Sequence, residues 1–93
     1  MVNHLAANQG YAKAQYNLGT LYENGEGVGK SLAQALKWYR LAAEQQDAPA
    51  QYALGTLYRD GLGVKKNAKQ AREWLQRAAE QGHAPAKKAL AQL

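Results

Sequence analysis

The stretch Ala14-Gln15-Tyr16-Asn17-Leu18-Gly19-Thr20-Leu21-Tyr22 returns 36 residues later as Ala50-Gln51-Tyr52-Ala53-Leu54-Gly55-Thr56-Leu57-Tyr58, with only Asn17 and Ala53 differing. The register continues through Gly25/Gly61, Gly27/Gly63, Val28/Val64, Ala35/Ala71 and Trp38/Trp74. It ends with Ala42-Ala43-Glu44-Gln45 against Ala78-Ala79-Glu80-Gln81. About 20 of the 36 positions in residues 12–47 are identical to their partners in 48–83. A period of this size signals stacked supersecondary units, none of which can bury its apolar face alone. The chain therefore reads as a single repeat domain over 1–93, with whole repeats at 12–47 and 48–83. Leu5-Ala6-Ala7 echoes Leu41-Ala42-Ala43, so residues 1–11 read as part of a second helix, with Val2 in the Trp position. Ala84-Pro85-Ala86 echoes Ala48-Pro49-Ala50, so 84–93 read as part of a first helix.

Within each repeat the apolar spacing is helical. Ala35, Trp38, Tyr39, Ala42 and Ala43 fall at i, i+3, i+4, i+7 and i+8, and Ala71, Trp74, Leu75, Ala78 and Ala79 repeat the stripe. Ala14, Leu18, Leu21 and Tyr22 form the matching stripe on the preceding segment. The pattern predicts a first helix over 12–23 and a second over 32–45, then 48–59 and 68–81. Ser31 and Asn67 stand where N-caps belong, able to accept from free backbone N–H groups. Asn24-Gly25 and Asp60-Gly61 supply the stops, and Pro49 and Pro85 fit first turns. Gly19 and Gly55 sit mid-helix, at a cost of about 1 kcal/mol relative to Ala. Close approach of the neighbouring helix, with the ring of Trp38 or Trp74 moving in, is the expected compensation.

Composition narrows the function classes. With 46% hydrophobic residues, 20% charged, two Pro and nine Gly, the chain is globular rather than disordered. No apolar run approaches the ~20 residues needed to span a bilayer, and no signal-peptide pattern opens the chain. Zero cysteines exclude a disulfide frame and a thiolate metal site. The net charge is +5, concentrated in the second half.

These motifs resemble the Sel-1-like repeat, a branch of the tetratricopeptide superfamily. Leu18-Gly19…Tyr22 and Leu54-Gly55…Tyr58 are shared with tetratricopeptide repeats. Gly25-x-Gly27-Val28 and Gly61-x-Gly63-Val64, followed by Ala…Trp and Ala-Ala-Glu-Gln, look specifically Sel-1-like. Ser31 and Asn67 replace the usual acidic cap, Gln46 replaces the inter-repeat Gly that Gly82 retains, and Leu75 stands where Tyr39 stands. The resemblance implies an all-α fold, a right-handed α-solenoid of antiparallel helix pairs. It also implies a non-catalytic scaffold or adaptor that binds a protein or peptide. The lack of Cys separates the chain from disulfide-linked bacterial members, so their β-lactam binding is not implied.

A search for chemistry finds little. Ser31 is explained as a cap, His4 lies in a terminal fragment, and His83 is a turn residue in register with Asp47 and Tyr11. No His or carboxylate cluster has metal-ligand spacing. Gly25-Glu26-Gly27-Val28-Gly29 follows a helix rather than a strand, which removes the dinucleotide-loop reading. The chain is thus expected to be no enzyme and to use no cofactor or metal.

The resemblance places a concave groove along the first helix of each repeat. Its positions map to Lys13, Tyr16, Asn17, Thr20, Glu23 and Asn24, then to Pro49, Tyr52, Ala53, Thr56, Arg59 and Asp60, with Lys88 in the terminal fragment. Tyr offers contact area at low entropy cost, and the polar tips can satisfy peptide groups. The competing reading packs Tyr16 and Tyr52 between adjacent first helices. On the second helix, Lys69, Glu73 and Arg77 alternate at i, i+4 and i+8, which predicts surface ion pairs on a solvated convex face. Nucleic acid is not expected, because no aromatic residue is interleaved with these cations. A second function class is self-association, with the incomplete ends of one copy covered head-to-tail by another.

Overall fold

The structure, a computed structural model, describes residues 10–93. The expectations for residues 1–9, including the helical fragment, Val2 and His4, lie outside the described residues. Five helices follow in order: α1 (Ala12–Asn24), α2 (Leu32–Ala43), α3 (Ala48–Asp60), α4 (Ala68–Glu80) and α5 (Ala84–Ala91). No strand occurs among the described residues. Each helix packs against its neighbours in sequence, α1 on α2, α2 on α3, α3 on α4 and α4 on α5. The result is a right-handed α-solenoid of antiparallel pairs.

The boundaries follow from local chemistry. Ser31 Oγ accepts from the Gln34 N–H at 3.2 Å and Asn67 Oδ1 from the Gln70 N–H at 3.0 Å, so α2 and α4 start on side-chain caps. Asp47 caps α3 in the same way through the Ala50 N–H at 3.0 Å. At the far ends of α1 and α3, Gly25 (φ 72°) and Gly61 (φ 68°) take the left-handed conformation and donate to the Leu21 and Leu57 carbonyls. The loops then close back on the helices they left. The Ser31 N–H reaches the Tyr22 carbonyl and the Asn67 N–H the Tyr58 carbonyl, both at 2.9 Å. The second helices end slightly earlier than the periodicity predicts, because the chain turns at Gln46 and Gly82, which have φ of 70° and 85°.

The core follows the predicted stripes, of which Ala14, Leu21, Tyr22 and Ala79 are only half-buried. Trp38 and Trp74 are 6% and 7% exposed, and Leu18, Leu54, Leu57 and Leu75 are essentially inaccessible. Full burial of each such leucine contributes about 2 kcal/mol. Ala35, Ala42, Ala43, Ala50, Ala71 and Ala78 are fully buried as well, and these short side chains bring the helix axes together.

The glycine contacts differ from the expectation. A Cβ at Gly19 would lie 2.7 Å from Cδ1 and Cε1 of Tyr39, and one at Gly55 would lie 2.8 Å from Leu75 Cγ. The approaching residue is therefore the one after each Trp. Trp38 clusters instead with Leu18, Ala14 and Leu21. One step along a helix is a rotation of about 100°, so neighbours 38 and 39 meet different sides of α1. The ion pairs predicted on α4 are also not formed. Among the described residues the ion pair is Arg59–Asp60, and the Arg77 guanidinium lies over the Trp74 ring, 4.6 Å from its centroid. There it covers apolar surface that a Lys69–Glu73–Arg77 ladder would leave bare.

Candidate peptide-binding groove

On α1 the residues Lys13, Tyr16, Asn17, Thr20, Glu23 and Asn24 fall on the side away from the buried Leu18, because they recur at i, i+3/i+4, i+7 and i+10/i+11. Their depth is graded. Lys13, Asn17 and Asn24 are exposed, while Tyr16, Thr20 and Glu23 are half-buried. On α3 the aligned Pro49, Tyr52, Ala53, Thr56 and Arg59 are half-buried, Asp60 is exposed, and on α5 Lys88 is exposed.

The two tyrosines have one foot in the protein. Tyr16 packs on the main core cluster and tilts against the Tyr39 ring at 5.7 Å between centroids. Tyr52 packs on the cluster around Leu75 and Ala78 and lies 5.3 Å from the His83 ring. Each is thus held by an aromatic partner and leaves part of its surface uncovered. His83 occupies the N-cap position of α5 with no side-chain capping bond, unlike Asp47 at the aligned position.

Tyr39, which sequence reasoning placed only in the core, belongs to the floor of this face. Its ring is buried, but its hydroxyl donates to Glu23 Oε1 at 2.6 Å and lies 3.4 Å from Thr20 Oγ1. Burial, and then the bond to Glu23, push the Tyr39 hydroxyl well above the usual tyrosine range, so it stays a neutral donor. In the second repeat Leu75 has no hydroxyl. Arg59, aligned with Glu23, makes a two-pronged pair with Asp60, with both contacts at 3.0 Å. That pairing holds the Asp60 carboxyl below its ordinary value and the guanidinium above its own. Thr56 turns its hydroxyl to the Ala53 carbonyl at 2.7 Å. At the aligned position the face therefore bears a carboxylate bonded by a tyrosine on α1, and on α3 a guanidinium balanced by Asp60.

Beneath it, a polar link that sequence reasoning missed joins the repeats. Gln51 is fully buried; its Nε2 donates to the Ala43 carbonyl at 3.1 Å, and its Oε1 accepts from Gln81 Nε2 at 2.9 Å. Gln45 Nε2 donates to Gln15 Oε1 at 2.6 Å in the first repeat. Arg40 of α2 donates to the hydroxyl of Tyr58 on α3. The signal was available: Gln15/Gln51 and Gln45/Gln81 are polar positions kept identical across the period.

Among the described residues no group of three or more His, Cys, Asp or Glu could hold a metal ion, and no helix is long and apolar enough to cross a membrane.

The Sel1 repeat profile matches residues 12–47 and 48–83. The comparison with curated proteins returns no match. Among solved structures, a Sel1 repeat protein from Oxalobacter formigenes is 49% identical at a TM-score of 0.88, over 91% of this chain and 35% of that one. A protective antigen present in uropathogenic Escherichia coli strains and displaying an SLR fold is 44% identical at 0.89, over 90% of this chain and 18% of that one. Helicobacter pylori cysteine rich protein B is 33% identical at 0.86, over 91% of this chain and 64% of that one. This chain thus spans less than two thirds of each of these proteins. The doubled profile match and these likenesses agree with the helix pairs and glycine loops described above. The chain belongs to the Sel1 repeat family, whose members are generally protein–protein interaction scaffolds.

Proposed function

We propose that this chain binds a peptide segment of a protein partner along the face formed by α1, α3 and α5, without catalysing a reaction on it. The observation that carries this reading is the pair Tyr16 and Tyr52. Both are in register, half-buried and braced by a second ring, and Tyr16 is flanked by the exposed polar side chains of Lys13 and Asn17. A tyrosine fixed in this way loses little rotamer freedom on binding, which favours affinity. The molecule is 35 Å long, enough to lie along about ten residues of extended chain. Glu23 on α1 and the exposed Lys88 on α5, at opposite ends of the face, give the bound segment a preferred direction.

The test is a peptide selected by display against the wild-type domain, then titrated against Tyr52→Ala/Arg59→Glu. A loss of about tenfold or more, with amide shifts confined to α1, α3 and α5, supports the groove. Unchanged affinity, or shifts confined to α2 and α4, removes it. The rival, head-to-tail self-association, predicts a mass that rises with concentration in sedimentation equilibrium.

A further inference from the structure

The two repeats share a scaffold but not a surface charge. Residues 61–72 contain Lys65, Lys66, Lys69 and Arg72 and no acid, whereas the aligned residues 25–36 contain only Lys30 and Glu26 as charged groups. Gly29, Ala33 and Leu36 of the first repeat are thus replaced by cations. All four are exposed, and none belongs to the ion pair found among the described residues. The acids on either side do not neutralise them. Asp60 has both oxygens taken by Arg59 and feels Lys66 only at longer range. Glu73 makes no ion pair with Lys69, although the spacing permits one.

This arrangement works against folding stability. The cations repel one another, and they crowd the start of α4, where the helix dipole is positive and the first turn holds no acid. The backbone beneath them is nevertheless firmly held. The Leu62 and Asn67 N–H groups bond the Leu57 and Tyr58 carbonyls, each at 2.9 Å. Gly63 (φ 74°) is pressed so closely on the first repeat that a Cβ would lie 2.7 Å from the Leu32 carbonyl oxygen. Lys65 and Lys66 therefore project from a fixed loop that also carries the exposed side chain of Leu62.

We propose that Lys65, Lys66, Lys69 and Arg72 form a second docking surface, for an acidic segment of a polypeptide carrying some apolar side chains. Charge complementarity selects the occupant. Four unpaired cations on a pre-ordered frame attract carboxylates, and Leu62 adds an apolar contact. No exposed aromatic ring lies among them to stack a nucleobase, which disfavours a single-stranded nucleic acid. The four cations are none of the groove residues, although Lys66 lies within electrostatic reach of Asp60 at the end of α3, so the surface is tested independently of the groove.

The test uses a fluorescein-labelled peptide rich in Glu with interspersed Leu, titrated at low and at physiological salt. Lys65→Glu/Lys69→Glu/Arg72→Glu should lose about tenfold or more in affinity. The charge-matched Lys30→Glu/Lys37→Glu/Lys87→Glu should lose less than about twofold. Circular dichroism checks that helix content is kept. If the Glu variant fails to fold, the Gln substitutions at the same three positions decide by the same ordering against Gln controls at Lys30, Lys37 and Lys87. Equal losses in the two variants, no binding at low salt, or tighter binding of a single-stranded oligonucleotide of equal charge would each overturn the proposal.

Discussion

The Tyr39 hydroxyl donates to the Glu23 carboxylate, and the second repeat abandons both partners together: Leu75 and Arg59 hold the aligned positions. A Leu there would leave Glu23 half-buried with no hydroxyl to accept from, and Arg59 instead finds Asp60. The paired change shows that one aligned position of the scaffold can hold either charge, each with its own local partner, without disturbing the core.

Tyr39→Phe removes the donor and leaves the rest of the ring in place. A hydrogen bond to a charged group is worth roughly 1.5–3 kcal/mol, and half-exposure of Glu23 puts the expected loss near the low end. The double variant Tyr39→Leu/Glu23→Arg, which copies the second repeat, should cost less than the sum of its two single changes. Urea unfolding of wild type, Tyr39→Phe, the two single changes and the double variant checks both statements.

The same contact makes stability depend on alkaline pH. Tyr39 is held above its ordinary value of about 10 in the folded chain, so its contribution is complete below that pH. Above it, the unfolded tyrosine ionises first while the folded one keeps its proton, and stability falls as pH rises. The advantage of wild type over Tyr39→Phe should therefore shrink between about pH 9 and pH 11. A constant difference across that range would show that burial of the hydroxyl has no thermodynamic consequence.

Gly19→Ala and Gly55→Ala set helix propensity against packing. Alanine gains about 1 kcal/mol in a helix interior, but its Cβ would enter the Tyr39 ring or the Leu75 Cγ. Overpacking of this kind costs about 1–3 kcal/mol, so both variants should lose stability. Gly19→Ala should lose more, because the Tyr39 ring is anchored at its hydroxyl, whereas Leu75 has rotamers to try and the remaining contact, the Ala71 carbonyl oxygen at 3.2 Å, is milder. Thermal melts of the two variants give the ordering directly.

Much of this was readable beforehand, and what was not has a physical reason. The period of 36 residues, the Trp stripes, the Ser31 and Asn67 caps and the Gly25 and Gly61 stops are all written in residue type and spacing. Spacing gives a face but not what lies opposite it, which is why Trp38 rather than Tyr39 looked like the partner of Gly19. It gives no depth either, so Tyr16 and Tyr52 could not be divided between groove and core; both are half-buried and pack against core clusters. Glutamine is a surface residue by habit, and the burial of Gln51 is explained only by the Ala43 carbonyl and the Gln81 amide that satisfy its two ends.

Gln51→Glu tests that buried link. Glutamate keeps the shape but turns the group facing the Ala43 carbonyl from a donor into a charged acceptor. At neutral pH the loss should be about 3–5 kcal/mol, that of an uncompensated buried charge. Burial raises the pKa of the introduced carboxyl in the folded state. Its protonated form is therefore tolerated below the unfolded value, and stability is lost as pH rises through the folded one. The deficit relative to wild type should narrow in mild acid. Gln51→Met, which carries no charge, should cost less at neutral pH and show no such recovery.

Gln46 is the one non-glycine residue among the described residues with positive φ, at 70°, while Gly10 and Gly82 hold the same register at 85°. The left-handed conformation brings a Cβ against the following carbonyl, at about 1–2 kcal/mol. The turn needs that conformation, since the Gln46 N–H bonds the Ala43 carbonyl and the Asp47 N–H reaches back to Ala42. Gln46→Gly relieves the clash and gives back part of the gain through a more flexible unfolded chain. A net increase of about 0.5–1 kcal/mol should remain. Gln46→Asn should fall between the two, because asparagine tolerates this region better than glutamine does. Gln46→Val should be worse than wild type, its branched Cβ being least compatible with positive φ. Denaturant midpoints in the order Gly, Asn, Gln, Val are the expected outcome, and a Gly variant no more stable than wild type would mean that the strain is already relaxed elsewhere in the turn.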